Sequence, residues 1–274
     1  MFKRPEQSYV VSESTIRNLD KDPANPLHQI VRLLPQGASV LDVGSGSGVL
    51  GRLLKHADKS LLIDSVEPSK FAANHAKPFY RTVYNGYAQA YYQDIKENDY
   101  DYIVLADVIE HISDPQEFLT ELIENLSEKT KIIISIPNVA FGGIRLSLMN
   151  GNFNYVDSGA LERTHLRFFT LLSAQQLFKN LKLYEQEVFF LGQSFYRVEF
   201  GRKELSTSLL TLFKLMLNKE ALAYQYLFLL TKKSCIPPKP AFIGTSGIRI
   251  MIDAILYRPK IRSIVQYIRS LRKN

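Results

Sequence analysis

A short apolar run that ends in three alternating glycines constrains this chain most. The run covers residues 40–43, and the glycines follow at Gly44, Gly46 and Gly48. From Val49 onward, apolar residues recur at helical spacing. A strand, a tight glycine turn and the start of a helix place backbone N–H groups and the positive end of a helix at one edge of a parallel sheet. Glycine suits this turn because a Cβ atom would block the close approach of a ligand. The pattern therefore predicts a ligand-binding edge.

An acidic residue at the end of the second predicted strand fits the same kind of site. Glu67 ends the apolar run 61–66, and a carboxylate in this position can accept hydrogen bonds from the hydroxyls of a ribose. The glycines follow the spacing G-x-G-x-G rather than the G-x-G-x-x-G of dinucleotide enzymes, and Asp42 lies just before them. Residues 40–48 thus resemble the nucleoside-binding motif of class I S-adenosylmethionine-dependent methyltransferases.

This resemblance implies a fold and a cofactor. The expected fold is α/β, a doubly wound, Rossmann-like sheet of about seven strands that is mostly parallel, with the last strand antiparallel. The expected cofactor is S-adenosylmethionine. Tyr87 stands where many members of the family carry an acid that binds the adenine amino group. Either Tyr87 stacks on the adenine instead, or the contact to the adenine is missing in this chain. The residues expected to hold the cofactor are Asp42, Gly44, Ser45, Gly46, Gly48, Glu67, Pro68, Tyr87, Ala106 and Asp107.

A second motif follows the predicted fourth strand. The largely apolar run 100–106 closes on Asp107, as expected for a buried central strand with its functional residue at the carboxyl end. Residues 106–115 resemble the EH–DP segment of small-molecule methyltransferases of this class. Here His111 is a candidate catalytic base for a hydroxyl group or a residue that bridges two loops. Asp107 either lines the methionine end of the cofactor or caps the next helix, and Glu110 is expected to satisfy nearby backbone or to orient its neighbour.

Two later segments narrow the resemblance. Residues 136–140 and 163–170, together with residues 151–155 between them, resemble a branch of the family that is often linked to cell-surface polysaccharide synthesis. In the second segment His165 is another catalytic candidate, and Arg167 is a candidate contact to an acidic substrate such as a sugar nucleotide. Both also fit a hydrogen-bonded lock between loops. His28, in the helix predicted before the first strand, either forms a wall of the active site or is a partly exposed residue at the start of that helix.

The expected function is methyl transfer to a small-molecule or glycan acceptor, with a sugar hydroxyl in cell-surface polysaccharide synthesis as the leading acceptor. A ubiquinone-type or other small-molecule O-methyltransferase is the alternative among enzymes. A cofactor-binding scaffold recruited through a basic tail is the alternative outside enzymes. The chain shows no sequence spacing of His, Asp and Glu typical of a metal site, so we expect a reaction without a metal. We expect no nucleic-acid partner, and the oligomeric state stays open.

The basic charge is concentrated at the C-terminal end. Residues 236–274 hold eight basic residues and one acid, so this segment accounts for the chain's net charge of +7. It begins with the Pro-rich stretch 236–240 and ends in an amphipathic pattern over 260–274. We expect a methyltransferase domain over residues 1–235 and a helical extension that packs on the protein or lies peripherally on a membrane. The single Cys235, the N-terminus without an apolar signal region and the lack of a membrane-spanning apolar run favour a cytoplasmic location.

Overall fold

The computed structural model describes residues 11–196, 205 and 207–256, so the amphipathic segment 260–274 lies outside the described residues. The strands are β1 Ser39–Val43, β2 Leu62–Val66, β3 Val83–Tyr84, β4 Tyr102–Ala106, β5 Lys131–Pro137, β6 Tyr184–Gly192, β7 Ala223–Thr231 and β8 Ala241–Gly244. The helices are α1 Glu13–Asp20, α2 Pro26–Leu33, α3 Val49–His56, α4 Lys70–Ala76, α5 Tyr92–Asn98, α6 Pro115–Glu124, α7 Gly142–Met149, α8 Leu171–Asn180, α9 Leu209–Met216, α10 Lys219–Leu222 and α11 Gly247–Leu256.

The described strands form one sheet in the order β3-β2-β1-β4-β5-β7-β6-β8. All neighbouring pairs are parallel except those made by β7, which runs antiparallel to β5 and to β6. The expected doubly wound, Rossmann-like sheet is therefore confirmed. The structure adds an eighth strand, because β8 pairs with β6 from Phe189 opposite Ala241 to Gly192 opposite Gly244.

Both faces of the central sheet are covered, which explains the uninterrupted apolar runs of its strands. Alternate residues of β4 point to opposite faces, so Ile103 and Leu105 enter one buried cluster while Val104 enters the other. All three side chains are fully buried. The helices on the two faces leave the carboxyl ends of the parallel strands as the accessible edge. Chain order reverses between β1 and β4, and ligands bind at such a switch point in open α/β sheets.

A third cluster covers the end of the sheet near β6 and β7. It joins α7, α9 and α11 through buried residues that include Phe141, Leu212 and Ile250. On α11, the fully buried Asp253 accepts a hydrogen bond of 2.6 Å from the Ser194 hydroxyl. The first part of the expected extension therefore packs on the domain, while the division at residue 235 stays a prediction. Among the described residues, no helix combines the length and the apolarity needed to cross a membrane.

Candidate active site

The glycine loop after β1 uses the left-handed backbone region three times. Gly44, Gly46 and Gly48 have φ values of 78°, 54° and 86°. A Cβ atom at Gly44 would lie 2.8 Å from Cγ2 of Val108, and one at Gly48 would lie 3.0 Å from Cα of Ala76. A Cβ atom at Gly46 would meet no protein atom within 4 Å. Packing thus requires glycine at the two outer positions, while the middle position borders open space.

Glu67, directly after β2, contacts this loop through hydrogen bonds. Its buried carboxylate accepts a 2.8 Å hydrogen bond from the Gly46 N–H and another of 2.8 Å from the Ser69 N–H. Ser69 is also the N-cap residue of α4. The carboxylate therefore fixes the glycine loop relative to the next helix, and its two oxygens have lone-pair positions for further donors.

Asp42 lies beneath the loop as a buried acid. The Tyr80 hydroxyl donates to its Oδ2 atom over 2.5 Å and accepts from the Gly51 N–H over 3.2 Å. Burial raises the pKa of Asp42 to about 7, against the opposing effect of the Tyr80 hydrogen bond and with a smaller contribution from the negative charge of Glu67. Burial therefore favours the protonated form of the Asp42 carboxyl group.

A cleft of about 350 Å³ opens at the carboxyl ends of the central strands. It is lined by eight residues that the sequence indicated, namely Asp42, Gly44, Ser45, Gly46, Ala106, Asp107, His111 and His165. The lining also includes Glu110, next to His111, and residues of more distant segments, among them Glu162, Tyr224 and Gln225. The structure thus brings the glycine loop, the end of β4 and the segment around His165 to one cleft.

Four of the expected cofactor residues are not part of this lining within the described ranges. Gly48 is the N-cap residue of α3, and Glu67 contacts the loop through the Gly46 N–H. Pro68 is exposed, and Tyr87 is 67% exposed. Their contacts to a cofactor stay predictions.

The two expected substrate residues also lie outside the described lining. Nδ1 of His28 is 2.6 Å from the Asp20 carbonyl oxygen, which ties α2 to the end of α1. The Arg167 guanidinium donates through Nε and Nη2 to the Ser113 carbonyl oxygen, which locks two loops together. Both contacts are within the protein. The roles of His28 and Arg167 in binding a substrate stay predictions.

Asp107 follows β4 in an unusual backbone conformation, with φ of 55°. The Ser135 hydroxyl donates to its Oδ1 atom over 2.6 Å, and the Gln225 side-chain amide donates to the same atom over 3.0 Å. A non-glycine residue in the left-handed region costs free energy, and such residues persist where neighbouring groups hold them. Side chains of β5 and β7 therefore hold the carboxylate at the edge of the cleft.

Backbone hydrogen bonds bring the segment around His165 to the turn after β4. The carbonyl oxygen of Glu110, in the short 3₁₀ turn Ile109–His111, accepts from the Leu166 N–H at 2.8 Å and from the Arg167 N–H at 3.0 Å. Because these bonds involve main-chain atoms, they join the two segments without requiring particular side chains.

Glu110, His111 and His165 consequently form a cluster. Nε2 of His165 lies 4.0 Å from Oε1 of Glu110, and the centroids of the two imidazole rings are 4.8 Å apart. One nitrogen of each imidazole and one carboxylate oxygen all lie within 4.8 Å of one another. Glu110 is 1% exposed and His165 is 8% exposed. This cluster places three lone pairs at one end of the cleft.

Hydrogen bonds indicate the tautomer of both neutral imidazole rings. Nδ1 of His111 lies 3.2 Å from the Thr164 carbonyl oxygen, and Nδ1 of His165 lies 3.2 Å from the Ala160 carbonyl oxygen. A carbonyl oxygen only accepts, so Nδ1 carries the proton in each neutral ring. The lone pair of each ring is therefore on Nε2.

Comparison with known proteins decides the family. A family model described as a methyltransferase domain matches residues 16–184, which is more than half of the chain. The chain belongs to this methyltransferase family. It is an enzyme of the methyltransferase class, and its cofactor is S-adenosylmethionine. No curated protein gives a significant sequence match.

Solved structures agree on the fold of the methyltransferase. One similar structure is a SAM-dependent methyltransferase from Thermotoga maritima, described as a possible histamine N-methyltransferase. It is 17% identical, with a TM-score of 0.52, and the match covers 80% of this chain and 94% of that one. Another is a SAM-dependent methyltransferase from Archaeoglobus fulgidus, 17% identical with a TM-score of 0.52, covering 76% of this chain and 92% of that one. At these identities, the likeness concerns the fold alone.

Sequence reasoning underestimated several residues of the methyltransferase's cleft. It gave Glu110 only a local structural role, although the residue's place directly before His111 in the EH–DP segment was an available signal. Glu162 and Gln225 carried no signal, because they reach the cleft from segments far away in sequence.

Proposed function

We propose that this methyltransferase transfers a methyl group to a hydroxyl of a small-molecule or glycan acceptor, with a sugar of cell-surface polysaccharide synthesis as the acceptor class. The observation that carries the proposal is the position of the Glu110–His111–His165 cluster in the same cleft as the glycine loop. When bound, S-adenosylmethionine supplies a methyl group that its sulfonium centre has already activated for in-line transfer. The remaining work of the protein is to position the acceptor and to receive its proton.

The cofactor end of the cleft has groups that suit a nucleoside ligand. Among the described residues, the buried Ser45 hydroxyl has no hydrogen-bond partner within the protein although it lines the cleft. A buried polar group of this kind is normally satisfied, so a ligand is a reasonable partner. The open space beside Gly46 allows a ligand to approach the backbone closely. We assign Ser45, Gly46 and Glu67 to cofactor binding on this basis.

The acceptor end offers groups that can orient a hydroxyl. Glu110, His111 and His165 place a carboxylate and two imidazole rings in the lining of the cleft. A positioned imidazole or carboxylate that receives a proton in the transition state accelerates such reactions by about 10²–10⁴-fold. We assign activation of the acceptor hydroxyl to this cluster.

An aromatic surface beside the cluster supports a sugar acceptor. The rings of Phe153 and Tyr155 are 5.6 Å apart, and the Phe168 ring lies 5.8 Å from Phe153 and 6.3 Å from the His165 ring. Phe153 is 38% exposed and Tyr155 is 52% exposed. Exposed aromatic faces give apolar contact to the C–H face of a sugar ring. The resemblance of residues 163–170 to the polysaccharide-linked branch is a second, independent support.

The test is a direct assay of methyl transfer. The full chain is incubated with labelled S-adenosylmethionine and one candidate acceptor at a time. The acceptors are nucleotide sugars, oligosaccharides and catechol-type phenols, and mass spectrometry identifies the methylated product. We expect a sugar product, and transfer to phenols with none to sugars would overturn the proposal in favour of a ubiquinone-type enzyme.

Two variants connect this assay to the site. His111→Ala should lower turnover by about 10²–10⁴-fold while S-adenosylhomocysteine still binds. Tyr155→Ala should raise KM for the sugar about two- to tenfold, because one aromatic contact contributes about 0.5–1.5 kcal/mol. Tyr184→Ala is the matched control, since Tyr184 is a similarly exposed tyrosine at the start of β6 and, among the described residues, is not one of the rings that pack with Phe153 and Phe168.

A further inference from the structure

We propose that Glu110, His111 and His165 bind one divalent transition-metal ion, and that this ion coordinates the acceptor hydroxyl. The metal site is argued from the geometry of the three side chains, and only its role toward the acceptor rests on the proposed function. This inference replaces the expectation of a metal-independent reaction. That expectation relied on local sequence spacing, which does not reveal a cluster assembled from two distant segments.

The three side chains have the arrangement of an incomplete metal shell. One atom from each lies within 4.8 Å of the other two, and the Glu110 to His165 distance is 4.0 Å. Metal–ligand bonds of about 2.0–2.2 Å place adjacent ligands roughly 3.0–3.6 Å apart. The three atoms therefore lie about 1 Å farther apart than they would around a bound ion. Three protein ligands leave coordination positions for a substrate oxygen.

The groups behind the ligands support this arrangement. Metal-binding histidines usually donate their second ring N–H to a carbonyl or carboxylate oxygen, which fixes the ring and makes the other nitrogen more basic. Both His111 and His165 have such a carbonyl partner, on Thr164 and Ala160. The Thr164 hydroxyl also lies 3.2 Å from Nδ1 of His111 and donates to the buried carboxylate of Glu162.

Backbone contacts make the cluster rigid. The Glu110 carbonyl oxygen accepts two N–H bonds from the residues that directly follow His165. On the other side, the Tyr224 hydroxyl of β7 accepts from the Ala160 N–H over 2.9 Å. The two ligand-bearing segments are thus joined to each other and to the sheet. Such support keeps ligands near their productive geometry.

The ligand chemistry selects the kind of metal. Two imidazole nitrogens and one carboxylate oxygen suit Zn²⁺, Mn²⁺, Fe²⁺ or Co²⁺, whereas Ca²⁺ and Mg²⁺ prefer oxygen ligands. A cation here also places a positive charge beside the buried carboxylate of Glu110. We therefore infer a mixed nitrogen and oxygen site for a first-row transition metal.

The metal changes how the acceptor is activated. Coordination lowers the pKa of a hydroxyl, so its O–H bond breaks and the proton passes to solvent in the cleft. The acceptor oxygen then forms a bond to the methyl carbon while the carbon–sulfur bond breaks, and the electron pair of that bond stays on sulfur. The metal thereby takes over the activation that the proposed function assigns to the cluster: His111 and His165 hold the ion, and the acceptor's proton passes to solvent instead of to an imidazole.

Metal binding can be measured without an acceptor. The full chain is purified with a histidine-free tag, treated with EDTA and dialysed, then titrated with Co²⁺ by visible absorption and with Zn²⁺ by calorimetry. We expect about one bound ion per chain. Glu110→Gln and His165→Ala should each weaken binding by more than about 100-fold, since loss of even an outer-shell partner costs about 10–100-fold.

Controls separate this site from other ligands in the chain. His75→Ala removes an exposed histidine, and Cys235→Ser removes the single thiol; both should bind Co²⁺ as the wild type does. Unchanged S-adenosylhomocysteine affinity in the two cluster variants shows that they remain folded. Absence of Co²⁺ and Zn²⁺ binding by the wild type, or equal binding by Glu110→Gln, His165→Ala and the wild type, would overturn the proposal.

Activity distinguishes the metal site from the proposed function. Methyl transfer to a sugar should cease after EDTA treatment and return when Zn²⁺ or Mn²⁺ is added. Full transfer after EDTA treatment would overturn the metal proposal and leave the proposed function intact. Specific metal binding without any sugar methylation would leave the metal site intact and contradict the proposed acceptor.

Discussion

Replacing either of two glycines in the same loop by alanine should have different main effects. Gly46 and Gly48 both have positive φ values, so alanine is strained at either position. A Cβ atom at Gly48 would lie 3.0–3.2 Å from Ala76, Tyr80 and Phe79, whereas a Cβ atom at Gly46 meets no protein atom within 4 Å. We therefore predict that Gly48→Ala lowers the stability of the protein and that Gly46→Ala mainly lowers cofactor affinity.

The magnitudes follow from separate contributions. The left-handed conformation costs an alanine about 1–2 kcal/mol, and the lower entropy of the unfolded chain offsets about 0.4–1 kcal/mol of this. Gly46→Ala should therefore lower the unfolding free energy by about 1 kcal/mol. Overpacking adds about 1–3 kcal/mol at Gly48, because the nearest neighbour is the Cα atom of Ala76, which cannot rotate away. The total for Gly48→Ala is about 2–4 kcal/mol.

Urea denaturation and calorimetric titration with S-adenosylhomocysteine measure the two effects. For Gly46→Ala we expect a small change in the urea midpoint and a loss of affinity, since the added methyl group occupies the space beside the loop. Equal stability of the two variants would refute the packing argument. Wild-type affinity in Gly46→Ala would refute the assignment of the loop as the cofactor site.

Two further predictions concern the acids around the loop. Glu67→Ala should weaken S-adenosylhomocysteine binding by one or two charge-assisted hydrogen bonds, of order 1.5–3 kcal/mol each, and an unchanged Kd in calorimetry would contradict this role. Asp42 has a pKa of about 7 in the folded protein against an ordinary value of 3.8, so the folded state binds the proton more tightly than the unfolded chain. The unfolding free energy should fall, by at most about 4 kcal/mol at about 1.4 kcal/mol per pKa unit, as pH rises from about 4 to about 7. Asp42→Asn should reduce this dependence in urea denaturation, and identical pH profiles for the two proteins would refute the assignment.

Local sequence patterns predicted the cofactor half of the fold well. The run that ends at Gly48 predicted β1, the turn and α3, because the signals for all three elements are contiguous. The doubly wound, mostly parallel sheet also followed, because these residues resemble the nucleoside-binding motif of a family with that fold. The sequence did not reveal β8, whose four residues follow a Pro-rich stretch and pair only with β6.

Helix α7 shows how packing overrides local preference. It begins with Gly142 and Gly143, which are poor helix formers. At Gly142 a Cβ atom would lie 2.2 Å from the Phe195 ring, so this glycine is present to admit an aromatic side chain from beyond β6. That requirement is visible only once the chain is folded, and the sequence therefore gave no helix signal here.

The two ends of the cleft differ in how the sequence encodes them. At the cofactor end, the loop and Glu67 belong to consecutive strand ends, so spacing along the chain reflects distance in space. At the acceptor end, main-chain hydrogen bonds between Glu110 and residues 166 and 167 bring the two histidines together. Because almost any residue can make main-chain bonds, the sequence does not reveal them. Under the proposed function, the segment that carries His165 can therefore change its side chains, and with them the acceptor, while the sheet and the cofactor loop stay the same. A substitution of Leu166, whose N–H makes one of these bonds and whose side chain is 53% exposed, should accordingly leave S-adenosylhomocysteine binding unchanged. A loss of cofactor affinity in Leu166→Ala would show that the two ends are coupled, and would contradict this division.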